Sequence, residues 1–175
     1  PRSVVIDDFD GDAKKDIAVA THRTSSVQLF FGQGNGTFSD RFTFANSTGS
    51  APYAMTVGHL NDDTLPDLAL INNDHNFIDI LLTCRNYSLS NSTIYEMTEE
   101  DQQATFVLAT DVNEDRRLDV VVCNNRSGTV EIFVGVSDGV FDRPVRYSTG
   151  AGSQPRSVAV ADLNNDSHVD LVVAN

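Results

Sequence analysis

Apolar residues come in short runs separated by polar, turn-forming ones, without the spacing of a helix face. The first fifty residues carry four such runs, "SVVID" at 3–7, "DIAVA" at 16–20, "SVQLFF" at 26–31 and "RFTFAN" at 41–46. They are rich in Val, Ile, Phe and Thr, whose branched or aromatic side chains suit a pleated surface, so the pattern predicts four strands. The joins "DFDGDAKK", "THRTS", "GQGNGTFSD" and "STGSAP" hold the residues that turns favour. The second run of each group ("DIAVA", "DLALI", "DVVVC", "DLVVA") is apolar without alternation, which predicts a strand buried on both faces between packed sheets.

The pattern repeats. Asp8-x-Asp10-x-Asp12-x-x-x-Asp16 is matched by His59-x-Asn61-x-Asp63-x-x-x-Asp67, by Asp111-x-Asn113-x-Asp115-x-x-x-Asp119 and by Asp162-x-Asn164-x-Asp166-x-x-x-Asp170, at intervals of 51, 52 and 51 residues. Pro1, Pro52 and Pro155 stand seven residues before their loops, and Ala104 takes that place in the third copy. Four strands per period of about 50 residues is the pattern of a β-propeller blade; a β-helix coil is far shorter and a helical solenoid needs helices. The predicted fold is an all-β propeller of four-stranded antiparallel blades at 1–51, 52–103 and 104–154, with half a blade at 155–175. Propellers close with four to eight blades, so the chain reads as a fragment of a larger one.

"FFG" at 30–32, "GSAP" at 49–52, the aspartate loop after each Pro, and "VGVSDGVF" at 134–141 echoing "FGQGNGTF" at 31–38 together resemble FG-GAP or VCBS-type repeats. Such repeats build integrin α-chain propellers and some fungal lectin propellers. The resemblance covers the whole chain. It departs most in the second copy, where "TCRNYSLSNSTIYEM" replaces the glycine-rich segment. It implies that the aspartate loop joins the first and second strands of a blade.

The loops suit a hard cation. Ca²⁺ takes six to eight oxygens at about 2.3–2.6 Å, and alternate residues of a tight loop aim side chains at one point. The expected ligands are Asp8, Asp10, Asp12 and Asp16 at site one, and Asn61, Asp63 and Asp67 at site two. Site three offers Asp111, Asn113, Asp115 and Asp119, and site four Asp162, Asn164, Asp166 and Asp170. The residues at position 7, Lys14, Arg117 and His168, add backbone carbonyls at sites one, three and four. An EF-hand is excluded, because position 12 is Val19, Val122 or Val173 rather than Glu. Position 6, where a sharp turn favours glycine, is Ala13, Thr64, Arg116 or Ser167. Charge ranks site one first, sites three and four next, and site two, with His59 at position 1, weak or empty. The competing reading is that these Asp and Asn side chains only cap turns. Four loops in register, each with acids at positions 5 and 9, favour the metal.

At a net charge of −13, with a pI of about 4.4, the chain repels nucleic acid and anionic membranes, and a cation is its natural counterpart. No apolar run would cross a membrane. Sequons at Asn35, Asn46, Asn86, Asn91, Asn125 and Asn165 indicate a secreted, N-glycosylated protein outside the cell or on its surface. Cys84 and Cys123 fall near opposite faces of a blade meander, so free, buried thiols are expected. His22, His59, His75 and His168 lack zinc spacing, "GQGNG" at 32–36 reads as a hairpin turn, and Tyr53, Tyr87, Tyr95 and Tyr147 read as packing.

The function expected from these features is a calcium-stapled recognition or adhesion scaffold, with a protein or glycan ligand and the remaining blades, or another copy, as partners. A carbohydrate-binding propeller is the first alternative and a propeller hydrolase or lyase the second. No enzyme is expected, because an acid loop repeated in every blade fits a staple better than a single active site.

Overall fold

The computed structural model describes every residue except 40–41, 46–50, 73–74, 85–87, 90–92 and 99–102, so Asn46, Asn86, Asn91 and Tyr87 lie outside the described residues. The first four-stranded sheet is built from β1 (Ser3–Asp7), β2 (Asp16–Thr21), β3 (Ser26–Phe30) and β4 (Phe42–Ala45). The next strands are β5 (Pro52–Gly58), β6 (Asp67–Asn72), β7 (Phe77–Leu81), β8 (Thr83–Cys84), β9 (Ser88–Leu89) and β10 (Thr93–Glu96), with β5, β6, β7 and β10 forming the second sheet. The third contains β11 (Ala104–Thr110), β12 (Asp119–Asn124), β13 (Thr129–Phe133) and β16 (Val145–Ser148), with β14 (Gly135–Ser137) and β15 (Val140–Phe141) as a side hairpin. β17 (Ser157–Ala161) and β18 (Asp170–Ala174) form a two-stranded sheet. All pairings are antiparallel.

The sheets follow one another face to face, with apolar clusters between them. Leu29 and Ala18 meet Leu68 and Leu70 between the first two sheets. Ile71, Ile78 and Ile80 meet Val120, Val122 and Phe133 between the second and third. Val121 and Cys123 meet Val158 between the third and fourth. Burying a Leu, Ile or Phe in such a seam contributes about 1.5–3 kcal/mol. The first strands lie side by side and are tied by side-chain bonds. The Met55 N–H donates to Ser3 Oγ at 3.2 Å, the Ala109 N–H to Thr56 Oγ1 at 3.3 Å, and Thr105 Oγ1 to the Pro155 carbonyl at 3.0 Å.

β6 and β12 are buried at every residue, as expected of a strand between two packed layers. β2 alternates between buried and half-buried, and β18 is mostly half-buried or exposed, because each belongs to a sheet packed on one face only. The same cause leaves Val4 and Ile6 on one flank, and Leu163 and Val172 on the other, at 59, 58, 64 and 44% exposure.

Candidate metal centre

The aspartate at position 9 begins the second strand of each sheet and holds the loop in place. Asp16 Oδ2 accepts the Phe9 N–H at 2.8 Å and Oδ1 the Gly32 N–H at 2.8 Å. Asp119 repeats this with Val112 and Gly135, both at 2.8 Å. Asp67 Oδ2 takes Leu60 and Asn61 at 2.9 and 3.2 Å, and Oδ1 takes Thr83 at 2.8 Å. Asp170 receives Leu163 at 2.9 Å. Each of the first three carboxylates therefore clasps the start of its own loop to the start of the third-to-fourth-strand connection, sixteen residues on. That constant spacing, Asp16 to Gly32, Asp67 to Thr83 and Asp119 to Gly135, was the sequence signal for this role. Asp16, Asp67 and Asp119 are completely buried. Burial pushes all three carboxyls up, Asp67 to about 6, against the opposing pull of the backbone N–H donors.

The position-1 aspartates cap the turn. Asp8 takes the N–H groups of Gly11, Asp12 and Ala13, Asp162 those of Asn165, Asp166 and Ser167, and Asp111 those of Asp115 and Arg116. Turn capping and metal binding are compatible, since Oδ2 of Asp8, Asp111 and Asp162 takes a single N–H and keeps a second lone pair. The capped turn requires left-handed backbone at positions 4 and 6. Gly11, Glu114 and Asn165 have φ of 76°, 64° and 63°, and Ala13, Arg116 and Ser167 have 64°, 71° and 69°.

At site one, carboxylate oxygens of Asp8, Asp10 and Asp16 lie within 4.8 Å of one another, the only such acidic group among the described residues. The Asp10 carboxyl is held above its ordinary range, first by burial and then by the charges of Asp16, Asp12 and Asp8. Asp12, the fourth expected ligand, lies outside that group and is ion-paired, with Oδ2 2.6 Å from Lys14 Nζ. Asp115 at site three pairs likewise with Arg117 at 2.6 Å, and the Asn113 amide donates to it as well, at 3.2 Å. Asn164 holds Asp166 in the same way at 3.0 Å. These contacts are exposed and worth little, so an ion could recruit the position-5 carboxylates cheaply. The residues present thus fit Ca²⁺ best at site one.

Site two differs. With His59 in place of the capping aspartate, neither Asp62 nor Thr64 takes the left-handed conformation. The imidazole instead donates from Nδ1 to the Leu65 carbonyl at 3.0 Å, which occupies the position-7 oxygen that the other loops can offer. Asn61 and Asp63 bond to each other at 3.1 Å, and Asp67 serves the clasp.

The left-handed positions give a direct test. An L-residue there costs about 1 kcal/mol that glycine avoids, partly offset by the freedom glycine gains when unfolded. Ala13→Gly and Ser167→Gly are expected to raise the melting temperature by roughly 1–3 °C, and Thr64→Gly to lower it, in parallel thermal melts.

Other expectations divide. Cys84 and Cys123 are both free, but only Cys123 is buried; Cys84 is exposed at the edge of the short β8–β9 hairpin, which corrects the expectation of burial. Burial pushes the Cys123 thiol up to about 11. Tyr95 packs edge-on against Phe133 and Phe141, and Tyr53 lies under the Arg2 guanidinium. Tyr147 is 54% exposed, contrary to a packing role. Sequence reasoning missed the buried polar residues of the second and third strands. Asn72 Nδ2 donates to Asp79 at 3.0 Å, and Glu131 receives the Thr98 N–H at 3.2 Å as well as its hydroxyl.

A sequence model of FG-GAP-like repeats matches residues 8–70 and 111–173. No curated protein matches. Among solved structures, BBS1N in complex with ARL6DN, soaked with lead, superposes with a TM-score of 0.65 at 17% identity over 98% of this chain and 49% of that one. The Tc holotoxin pore of Photorhabdus luminescens superposes with 0.56 at 14% over 99% of this chain and 8% of that one. At these identities the likeness concerns the fold alone, and the chain spans at most about half of either structure.

Proposed function

The chain belongs to the FG-GAP-like repeat family, and from that premise we propose that it is a calcium-binding, non-catalytic part of an extracellular β-propeller that serves as a recognition or adhesion scaffold. The observation that carries this reading is the convergence of Asp8, Asp10 and Asp16 at site one, in a loop whose plan recurs in sites three and four. A divalent ion there offsets the repulsion among the carboxylates and adds a link to the clasp through Asp16. Ca²⁺ suits the all-oxygen donor set and the irregular loop better than Mg²⁺, which demands near-ideal octahedral geometry. Three filled sites would bring the net charge from −13 to −7.

Loops of this kind in extracellular modules bind Ca²⁺ at about 10⁻⁴–10⁻³ M, a concentration available outside the cell, and the sequons support that location. The exposed apolar flanks, Val4 and Ile6 at one end and Leu163 and Val172 at the other, are surfaces for further blades of the parent chain or for another copy. Repetition of one loop plan supports a scaffold rather than an enzyme.

Thermal melts test the proposal. With a Kd of about 10⁻³ M, Ca²⁺ at about 1 mM adds roughly 0.4 kcal/mol per filled site, so the melting temperature rises by a few degrees and a chelator reverses the rise. A transition indifferent to both would contradict it.

A further inference from the structure

The sequons at Asn35 and Asn125 are alike as motifs and opposite as sites. Asn35 lies in the exposed turn between β3 and β4, closed by the Gln33 N–H donating to the Thr37 carbonyl at 2.9 Å. Its Oδ1 accepts both the Thr37 N–H at 3.0 Å and the Thr37 hydroxyl at 2.7 Å. The carbonyl end of the amide is thus held by the third residue of the sequon, and the Nδ2 end is left to solvent. A side chain built on the next residue, Gly36, would meet nothing within 4 Å, so the space beside the amide is open.

Asn125 has the reverse environment. It follows β12, is only 7% exposed, and its backbone N–H is tied to the Gln103 carbonyl at 3.0 Å. Its Nδ2 is buried without a hydrogen-bond partner among the described residues. The sequon hydroxyl of Ser127 pairs with Thr129 Oγ1 at 2.7 Å. A sugar on Nδ2 would have to displace the atoms that bury it.

We propose that Asn35 carries an N-linked glycan and that Asn125 does not. The inference rests on the extracellular reading above, because the transfer takes place in the secretory pathway. There Nδ2 loses a proton and bonds to C1 of the N-acetylglucosamine of a lipid diphosphate-linked oligosaccharide, the C1–O bond breaks, and the lipid diphosphate leaves. The position has a consequence for the metal loop. A Cβ on Gly34, in the same turn, would lie 3.0 Å from the Lys14 side chain, so the turn rests against site one. A glycan at Asn35 then stands beside that loop, screening it from macromolecules while leaving it open to an ion, as suits a structural staple rather than a docking site.

The test is to express the chain behind a secretory leader in animal cells, treat the folded secreted protein with peptide N-glycosidase in ¹⁸O-water, and map the peptides for labelled aspartate. Label at residue 35 and none at 125, with one glycoform band lost in Asn35→Gln and none in Asn125→Gln, is the expected result. Label at 125, or its absence at 35, would overturn the proposal. The leader commits the chain to the pathway, so such a failure falls on the accessibility argument alone. The extracellular reading is tested separately, by whether the enzyme shifts the protein taken from its natural source.

Discussion

Asp67→Asn and Asp119→Asn are each expected to lower the melting temperature by roughly 4–10 °C, from a loss of about 2–3 kcal/mol. Both carboxylates are fully buried and receive backbone N–H groups on both oxygens, from Leu60, Asn61 and Thr83 in one case and from Val112 and Gly135 in the other. An amide accepts on one side only. Whichever way it is flipped, its NH₂ faces a buried N–H, leaving that donor unsatisfied and repelled. The pair separates two roles that coincide elsewhere. Asp67 belongs to the loop plugged by His59, so its substitution is expected to cost the same with Ca²⁺ or with chelator. Asp119 belongs to a loop with the metal plan intact, so its loss is expected to be larger with Ca²⁺ present. Wild-type melting of Asp67→Asn would show that the clasp does not hold the fold.

Gly135→Ala is expected to be nearly as damaging, at about 1–3 kcal/mol or more. An alanine Cβ at 135 would stand 2.4 Å from the Leu118 carbonyl oxygen, and at the matching Gly32 it would stand 2.1 Å from that of Lys15. In both cases the obstacle is backbone, fixed by the adjacent clasp, so the strand connection must shift and the Asp119 to Gly135 bond must lengthen. The second copy manages without glycine. Thr83 keeps its N–H on Asp67, and its hydroxyl donates to the Pro66 carbonyl at 2.6 Å, converting the close approach into a hydrogen bond. Thermal melts of Gly32→Ala and Gly135→Ala should therefore fall well below wild type, and Thr83→Ala should lose only about 1 kcal/mol. Unchanged melting of both glycine variants would contradict this account of the FG glycine.

Much of the fold was legible because strand and repeat signals reinforce each other. "SVVID" coincides with β1, and the uninterrupted apolar runs of β6 and β12 are buried at every residue. The same run in β18 is not buried, since burial depends on a neighbouring sheet that local sequence does not describe. At the loops, the ligand spacing identified the right residues but not their division of labour. Asp16 looked like one ligand among four, whereas it also bonds Gly32; the partner lies sixteen residues away, beyond a pattern read within the loop. Asp12 looked equivalent to Asp8, but the position-5 carboxylates are held within their own loops, Asp12 by Lys14, Asp115 by Arg117 and Asn113, and Asp166 by Asn164. A sharp turn was expected at position 6, and the left-handed backbone at position 4, where Gly11 is the sole glycine, was missed. His59 was recognised as a poor calcium ligand; its occupation of the Leu65 carbonyl required the three-dimensional loop.

The central claim concerns ions in particular loops, and counting bound Ca²⁺ per chain by equilibrium dialysis tests it most directly. The account predicts three ions at saturation, two in Asp10→Lys, which puts a cation among the site-one carboxylates, and still three in Asp63→Asn. Absence of saturable binding, or loss of an ion on substituting Asp63, would contradict it.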